Sequence, residues 1–216
     1  LFLSANTYKF LNKNIANQRP FTIMIDPAGD AKHTGRIIDD NFERGLTLQF
    51  SEQLKKQLEY SNNNIRVILT RFPGETLEYL QNANFANRLG ADLYINILFY
   101  QEKEDKSCTT LYHYITEPTD IWQKKINNLS LYHYDKAHLP YILKTQQIGK
   151  NLSKIFCKKK NRTFFDYKGF FGLPFKPLAG IKSPAIAIEI GLIKKDDWKK
   201  FLNPIVSTIE TILDSQ

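Results

Sequence analysis

The most informative segment for the fold is Pro184-Ala185-Ile186-Ala187-Ile188-Glu189-Ile190-Gly191. It is a short apolar run, and its length and branched residues predict a buried strand. Glu189 stands inside this run, and a carboxylate in such a place needs a partner if it is buried. The same stretch therefore indicates both a central strand and a candidate functional residue at its end.

The rest of the chain alternates between strand and helix patterns. Apolar runs predict strands at residues 21–25, 65–70, 92–100 and 108–115. Helices are predicted at 43–60, 76–89, 143–156 and 196–213, and a loop at 163–180. This alternation predicts an α/β fold, with a mostly parallel sheet flanked by helices on both faces.

The chain of 216 residues has room for one large domain. We expect residues 1–20 to form a polar N-terminal arm and residues 21–216 to form a single domain. A charged segment followed by many Tyr and His residues interrupts the alternation, and it predicts an insertion at about 101–140.

Composition narrows the classes of protein and partner. A hydrophobic content of 42% excludes a disordered chain. Lys and Arg exceed Asp and Glu by 30 to 22, and the net charge of +8 favours anionic partners. No apolar run is long enough for a transmembrane segment. Cys108 and Cys157 are too few for a disulfide scaffold, and one bridge or two free thiols both remain open.

Three segments, in this order, carry a resemblance to a known family. They are Val67-Ile68-Leu69-Thr70-Arg71, Asn84-Phe85-Ala86-Asn87-Arg88-Leu89-Gly90-Ala91-Asp92 and the stretch 184–191. Together they resemble the zinc-dependent N-acetylmuramoyl-L-alanine amidases over about residues 21–213. That family cuts the amide bond between glycan and stem peptide in peptidoglycan. The resemblance implies a cell-wall-amidase-like fold and an exported, periplasmic or cell-envelope location.

The resemblance also assigns site residues. Glu43 matches the family's glutamate zinc ligand, and Glu189 matches its catalytic base. The two zinc histidines of the family align with Gly29 and Leu98, neither of which can bind a metal. A catalytic zinc normally has three protein ligands. We therefore expect no cofactor, and we interpret Glu43 and Glu189 as a remnant ligand and a remnant base.

A substitute histidine would rescue a metal site. His33 lies in the same loop as Gly29 and is the best candidate, while His113 qualifies only if its strand lines the pocket. His133 and His138 fit surface positions in the excursion. A zinc site built from Glu43, His33 and Glu189, with or without Asp30, is chemically acceptable. A solvent-exposed His33 without a ligand role is the alternative.

The sequence thus leads to a principal hypothesis and two alternatives. The principal hypothesis is a degenerate, non-catalytic amidase-like domain that binds peptidoglycan, an anionic wall polymer or an envelope protein partner. The first alternative is an active amidase with zinc in a rearranged site. The second alternative is an unrelated module on the same fold that binds nucleic acid or an anionic polymer. The basic run 158–162, followed by aromatic residues, resembles a nucleic-acid site. A solvated helix end followed by core aromatics explains this run more simply, so nucleic acid is disfavoured as a partner.

Overall fold

A six-stranded sheet with the strand order β4-β1-β5-β8-β6-β7 forms the centre of the fold. The computed structural model describes residues 19–77, 80–116 and 134–213. The sheet strands are β1 (Phe21–Pro27), β4 (Ile65–Leu69), β5 (Leu93–Gln101), β6 (Cys108–Tyr114), β7 (Asp166–Leu173) and β8 (Ala185–Leu192). All neighbouring strands are parallel except β6 and β8, which are antiparallel. A small hairpin of β2 (Ile37–Ile38) and β3 (Asn41–Phe42) precedes the first described helix.

Helices cover both faces of this sheet, as the sequence predicts. The α-helices are α1 (Glu43–Ser61), α2 (Gln81–Leu89), α3 (Ile142–Phe156), α4 (Lys159–Arg162) and α5 (Lys199–Leu213). Short 3₁₀ turns lie at Tyr134–Lys136, Leu139–Tyr141, Lys176–Leu178 and Lys195–Trp198. The larger core lies on one face, where α1, α3 and α5 pack on the sheet. The smaller core lies on the other face and includes Ala83 and Ala86 of α2.

The amphipathic pattern of α1 is confirmed by its packing. Its buried face includes Leu46, Phe50, Leu54 and Leu58, the residues that recur at helical spacing in the sequence. Gly90 ends α2 with a left-handed backbone, φ 62°, which glycine adopts without a steric penalty. These two helices hold opposite faces of the sheet and fix the loops that follow β1 and β5.

One predicted helix start and one predicted loop were wrong. The second helix begins at Gln81 instead of residue 76, because the backbone before it is held in a loop. In that loop the amide of Leu77 donates to the Asp30 carboxylate, and the amide of Phe72 donates to Glu75. The predicted loop 163–180 contains strand β7. It joins the sheet because Phe170 packs where Gly149 of α3 leaves space for its ring.

Part of the predicted insertion belongs to the sheet, because the strand predicted at 108–115 is β6. Residues 101–140 include β6, which pairs with both β7 and β8. The remaining part of the excursion, residues 117–133 with His133, lies outside the described residues, as does most of the predicted arm at 1–18. Both cysteines are free thiols, with Cys108 buried and Cys157 exposed. Among the described residues, no helix combines the length and the apolar character that crossing a membrane requires.

His113 and His138 lie in the interior of the protein. His138 is buried, which corrects the surface position predicted for it. The His113 ring packs edge-on against Phe170, with ring centroids 4.8 Å apart. Burial, followed by the nearby charge of His138, lowers the pKa of His113 to about 4. His113 is therefore neutral at pH 7 and packs as a core residue.

We predict that His113 makes the fold sensitive to acid. Its pKa is lower in the folded chain than in the unfolded chain, so the unfolded state binds more protons as the pH falls below about 6.5. The contribution from His113 should lower the free energy of unfolding by about 2 kcal/mol between pH 7 and pH 5. Urea titrations at both pH values should show a smaller decrease for His113→Gln. An equal decrease in both proteins would contradict this assignment.

Candidate functional site

The candidate site lies at the carboxyl ends of β1, β5 and β8, where ligands bind in parallel α/β sheets. Leu98 of β5 pairs in register with Glu189 of β8. On the other side of β5, Pro27 pairs with Ile97, and the Ala28 amide continues this ladder by donating to the Ile97 carbonyl at 2.9 Å. The register therefore places Ala28, Leu98 and Glu189 next to one another across three strands.

Glu43 is held rigidly at the first turn of α1. It is buried, and both of its carboxylate oxygens accept backbone hydrogen bonds. The amide of Phe99 donates to Oε1 at 2.8 Å, and the amide of Arg36 donates to Oε2 at 3.0 Å. A carboxylate at a helix N-terminus is also stabilised by the helix dipole. Glu43 thus joins the loop before α1 to the end of β5.

Glu189 is paired with a cation from this loop. Arg36 donates from Nη1 to Oε1 of Glu189 at 2.7 Å, and the Tyr112 hydroxyl donates to Oε2 at 2.8 Å. Burial works to lower the pKa of Arg36, but the hydrogen bond and charge of Glu189, with the charge of Glu43, raise it. Burial and the bond to Glu189 raise the pKa of Tyr112 to about 12. Arg36 therefore remains a cation beside both family carboxylates.

The backbone at Gly29 leaves no room for a side chain. Its φ of +79° lies in the left-handed region, and a Cβ there would lie 2.8 Å from the Cβ of Arg44. Gly29 lies one residue beyond Ala28, the last residue that bonds to β5. Its assignment to the position of the first histidine stays a prediction from the alignment.

Leu98 lines an open cavity of about 440 Å³ instead of being fully enclosed by the core. The cavity wall comes from the loop after β1, the start of α2 and the turn at Lys176–Leu178. Its base includes Asp26, a buried carboxylate whose pKa is raised by burial. The side chains of Thr70, Asn82, Tyr94 and Asn96 all donate hydrogen bonds to Asp26. Glu43 and Glu189 are not part of this wall.

His33 also lines the cavity, but the structure does not bring it to Glu43. Its side chain is 70% exposed, and Nδ1 lies 3.2 Å from the Asp30 carboxylate. Burial would raise the pKa of Asp30, but hydrogen bonds from His33, Leu77 and Lys32 lower it to about 2. Asp30 thus serves as an anchor for the loop. His113 lies in the core and does not line the cavity.

The donor groups present do not fit a catalytic zinc ion. Gly29 has no side-chain donor, Leu98 offers only hydrocarbon, and the oxygens of Glu43 are bonded to two backbone amides. A cation, Arg36, already neutralises Glu189. Within residues 19–77, 80–116 and 134–213, no three His, Cys, Asp or Glu side chains cluster as metal ligands would. A zinc site normally requires three such ligands and an open position.

The sequence interpretation missed Arg36. Arg36 follows Gly35 in the loop between β1 and Glu43, and no periodicity or spacing in the sequence marks it. The available signal was a requirement for charge balance, since two inward-facing glutamates without a metal need a counter-ion. A second cavity, of about 1220 Å³, lies elsewhere, along the outer edge of β4. It contains none of the residues that the resemblance assigns.

The sheet order and the carboxyl-end cavity define the class of cell-wall amidase domains. The sequence profile of the N-acetylmuramoyl-L-alanine amidases matches residues 23–207, so the chain belongs to this family. A curated relative, the N-acetylmuramoyl-L-alanine amidase CwlM of Bacillus licheniformis, is 35% identical over 75 residues. That match covers 35% of this chain and 30% of the relative, so it spans under a third of the relative's length.

Solved structures of amidases share the fold. The catalytic domain of CwlV, an N-acetylmuramoyl-L-alanine amidase from Bacillus (Paenibacillus) polymyxa var. colistinus, has a TM-score of 0.66 at 17% identity. The alignment covers 90% of this chain and 99% of that domain. An amidase from Clostridium difficile 630 has a TM-score of 0.64 at 19% identity, with 92% and 100% covered. CwlD of Clostridioides difficile, solved with the GerS lipoprotein, has a TM-score of 0.59 at 15% identity, with 90% and 99% covered.

The crowding at Gly29 gives a stability prediction with a matched control. Gly74 has a similar left-handed φ of +85°, but nothing lies within 4 Å of where its Cβ would be. Gly74→Ala should cost about 1 kcal/mol from backbone strain alone. Gly29→Ala should cost at least about 2 kcal/mol more, because Arg44 must also move. Thermal unfolding of both variants measures the difference, and equal losses would contradict the crowding at Gly29.

Proposed function

We propose that the chain is a non-catalytic amidase-like domain that binds peptidoglycan in the cell envelope. The observation that carries this proposal is the ion pair between Arg36 and Glu189. Glu189 aligns with the family's catalytic base, and here its two oxygens accept hydrogen bonds from Arg36 and Tyr112. A carboxylate that is held as an acceptor by a guanidinium and a phenol is poorly placed to take a proton from water.

The neighbouring positions support the same proposal. Hydrolysis of an amide needs an activated nucleophile and a group that stabilises the developing oxyanion. In the family, zinc activates the water, and zinc requires nitrogen, sulfur or oxygen ligands. Gly29 and Leu98 supply none, and the Glu43 oxygens are bonded to backbone amides. The chain thus keeps the scaffold of the amidase site with a guanidinium as the cation beside its two carboxylates.

The surface and the cavity support a binding role. The chain carries a net charge of +8, which attracts anionic wall polymers over a range set by the ionic strength. The cavity beside Leu98 has polar groups at its base and the exposed Lys176 at its rim. It can hold a short peptide segment through hydrogen bonds and apolar contact. The family's substrate, peptidoglycan, is therefore the proposed ligand, and an exported location follows from this proposal.

One prediction from this proposal concerns the metal content of the purified protein. The purified chain should contain much less than one zinc ion per molecule by elemental analysis, because its donor set is incomplete. Chelator treatment should leave the melting temperature unchanged. By contrast, Arg36→Ala should lower the melting temperature, since it leaves Glu189 without its cation. One zinc per chain that is lost in Glu43→Ala would instead establish the alternative, an active amidase with a rearranged metal site.

A second prediction concerns wall binding. Insoluble peptidoglycan should retain the protein, and a large part of this binding should be lost between 0.1 M and 1 M salt, where the Debye length falls from about 10 Å to about 3 Å. The supernatant should contain no released stem peptide. Release of stem peptide would contradict the non-catalytic role. No retention at either salt concentration would exclude peptidoglycan as the ligand and would direct the search to an envelope protein partner.

A further inference from the structure

Three aromatic side chains lie side by side next to Glu189. The ring of Tyr112 stacks on the ring of Phe175, with centroids 5.7 Å apart and planes inclined by 19°. The centroid of the Tyr112 ring also lies 6.4 Å from that of the Phe171 ring. Tyr112 and Phe171 are register partners in β6 and β7, so they lie on the same face of the sheet. We call Phe171, Tyr112 and Phe175 the aromatic row.

The aromatic row is accessible to a ligand and held in place. Phe171 is 48% exposed, and Tyr112 and Phe175 are half-buried. The Phe171 ring lies over Gly169, where a Cβ would come within 2.6 Å of it, so the glycine provides the space for the ring. Tyr112 is fixed by its hydroxyl bond to Glu189. A row that is already ordered loses little conformational entropy when a ligand binds to it.

One end of the aromatic row carries hydrogen-bonding groups. Tyr112 contacts Glu189, and Glu189 contacts Arg36, whose side chain is 49% exposed. Within the described part of the chain, the hydrogen bonds of the Arg36 side chain all use Nη1. Its remaining N–H groups can therefore donate to a ligand. Arg36 and Glu189 form an ion pair, so this pair is polar and carries no net charge of its own.

We infer that the aromatic row binds sugar rings of a glycan chain. A sugar ring has apolar C–H faces and a border of hydroxyl groups, so it matches the exposed ring of Phe171 with donors and acceptors nearby. A neutral ligand of this kind suits the balanced charge of Arg36 and Glu189. This inference rests on the proposed function, since peptidoglycan is the polymer that would bring a glycan to the site. It identifies which part of that polymer the site recognises.

A soluble glycan tests this inference separately from wall binding. The probe is a tetramer of β-1,4-linked N-acetylglucosamine, titrated into the full chain and followed by NMR chemical shifts. We expect saturable binding with a dissociation constant on the order of 1 mM. Because sugar stacking involves no charge, the affinity should change less than about twofold between 0.1 M and 1 M salt. Phe171→Ala should weaken binding roughly tenfold.

Two variants serve as controls for the loss of an aromatic ring. Phe164 is 51% exposed but lies before β7 and outside the aromatic row, so Phe164→Ala should leave the affinity unchanged. Tyr112→Phe keeps the middle ring and should retain binding within about threefold. Melting curves for each variant show whether it is folded. If Phe171→Ala unfolds, Phe171→Leu, which keeps an apolar side chain without an aromatic face, takes its place.

The outcomes separate this inference from the proposed function. The inference is overturned if the wall retains the protein but the tetramer does not bind, and the proposed function then stands. Equal losses in Phe171→Ala and Phe164→Ala would also overturn it. Failure of both ligands overturns the proposed function as well. Tighter binding to a single-stranded oligonucleotide than to the tetramer, lost in Phe171→Ala, would reassign the aromatic row to nucleic acid.

Discussion

The ion pair between Arg36 and Glu189 determines how the rest of the candidate site is organised. It joins the loop before α1 to the end of β8, and the two amide bonds to Glu43 join the same loop to β5. In a metal-dependent amidase, the metal would supply the positive charge between these carboxylates. Here a guanidinium supplies it from within the chain. The same cation also occupies one oxygen of Glu189, the residue that aligns with the family's base.

The order of the elements could be predicted from the sequence because it depends on local apolar patterns. The strand 184–191 and the helix beginning at Glu43 were both predicted within one or two residues. Strand β7 was missed because its residues are half-buried or exposed, which gives neither a continuous apolar run nor a clean alternation. Its place depends on a tertiary fit between Phe170 and Gly149, which no local pattern reports. The late start of α2 has a similar cause, since Asp30 holds the preceding loop.

The site was predictable only where the chain keeps the family's residue types. Glu43 and Glu189 match the family's motifs, and the structure places both next to Arg36, while their roles stay predictions. The left-handed backbone at Gly29 could not be found by counting residues after β1. Arg36 and Tyr112 could not be found by motif at all, since their roles arise from contacts across 153 and 77 residues of sequence.

In the proposed binding role, an arginine beside the two carboxylates also affects what the site can select. A metal centre attracts lone pairs at one point, whereas a guanidinium is planar and offers several N–H donors in fixed directions. With Nη1 bonded to Glu189, the other N–H groups of Arg36 can donate to acceptors on a ligand. The aromatic row next to Glu189 supplies apolar contact beside these donors. Such contacts hold a polymer without strengthening as an amide bond is cleaved, which is why the proposal assigns this site binding instead of catalysis.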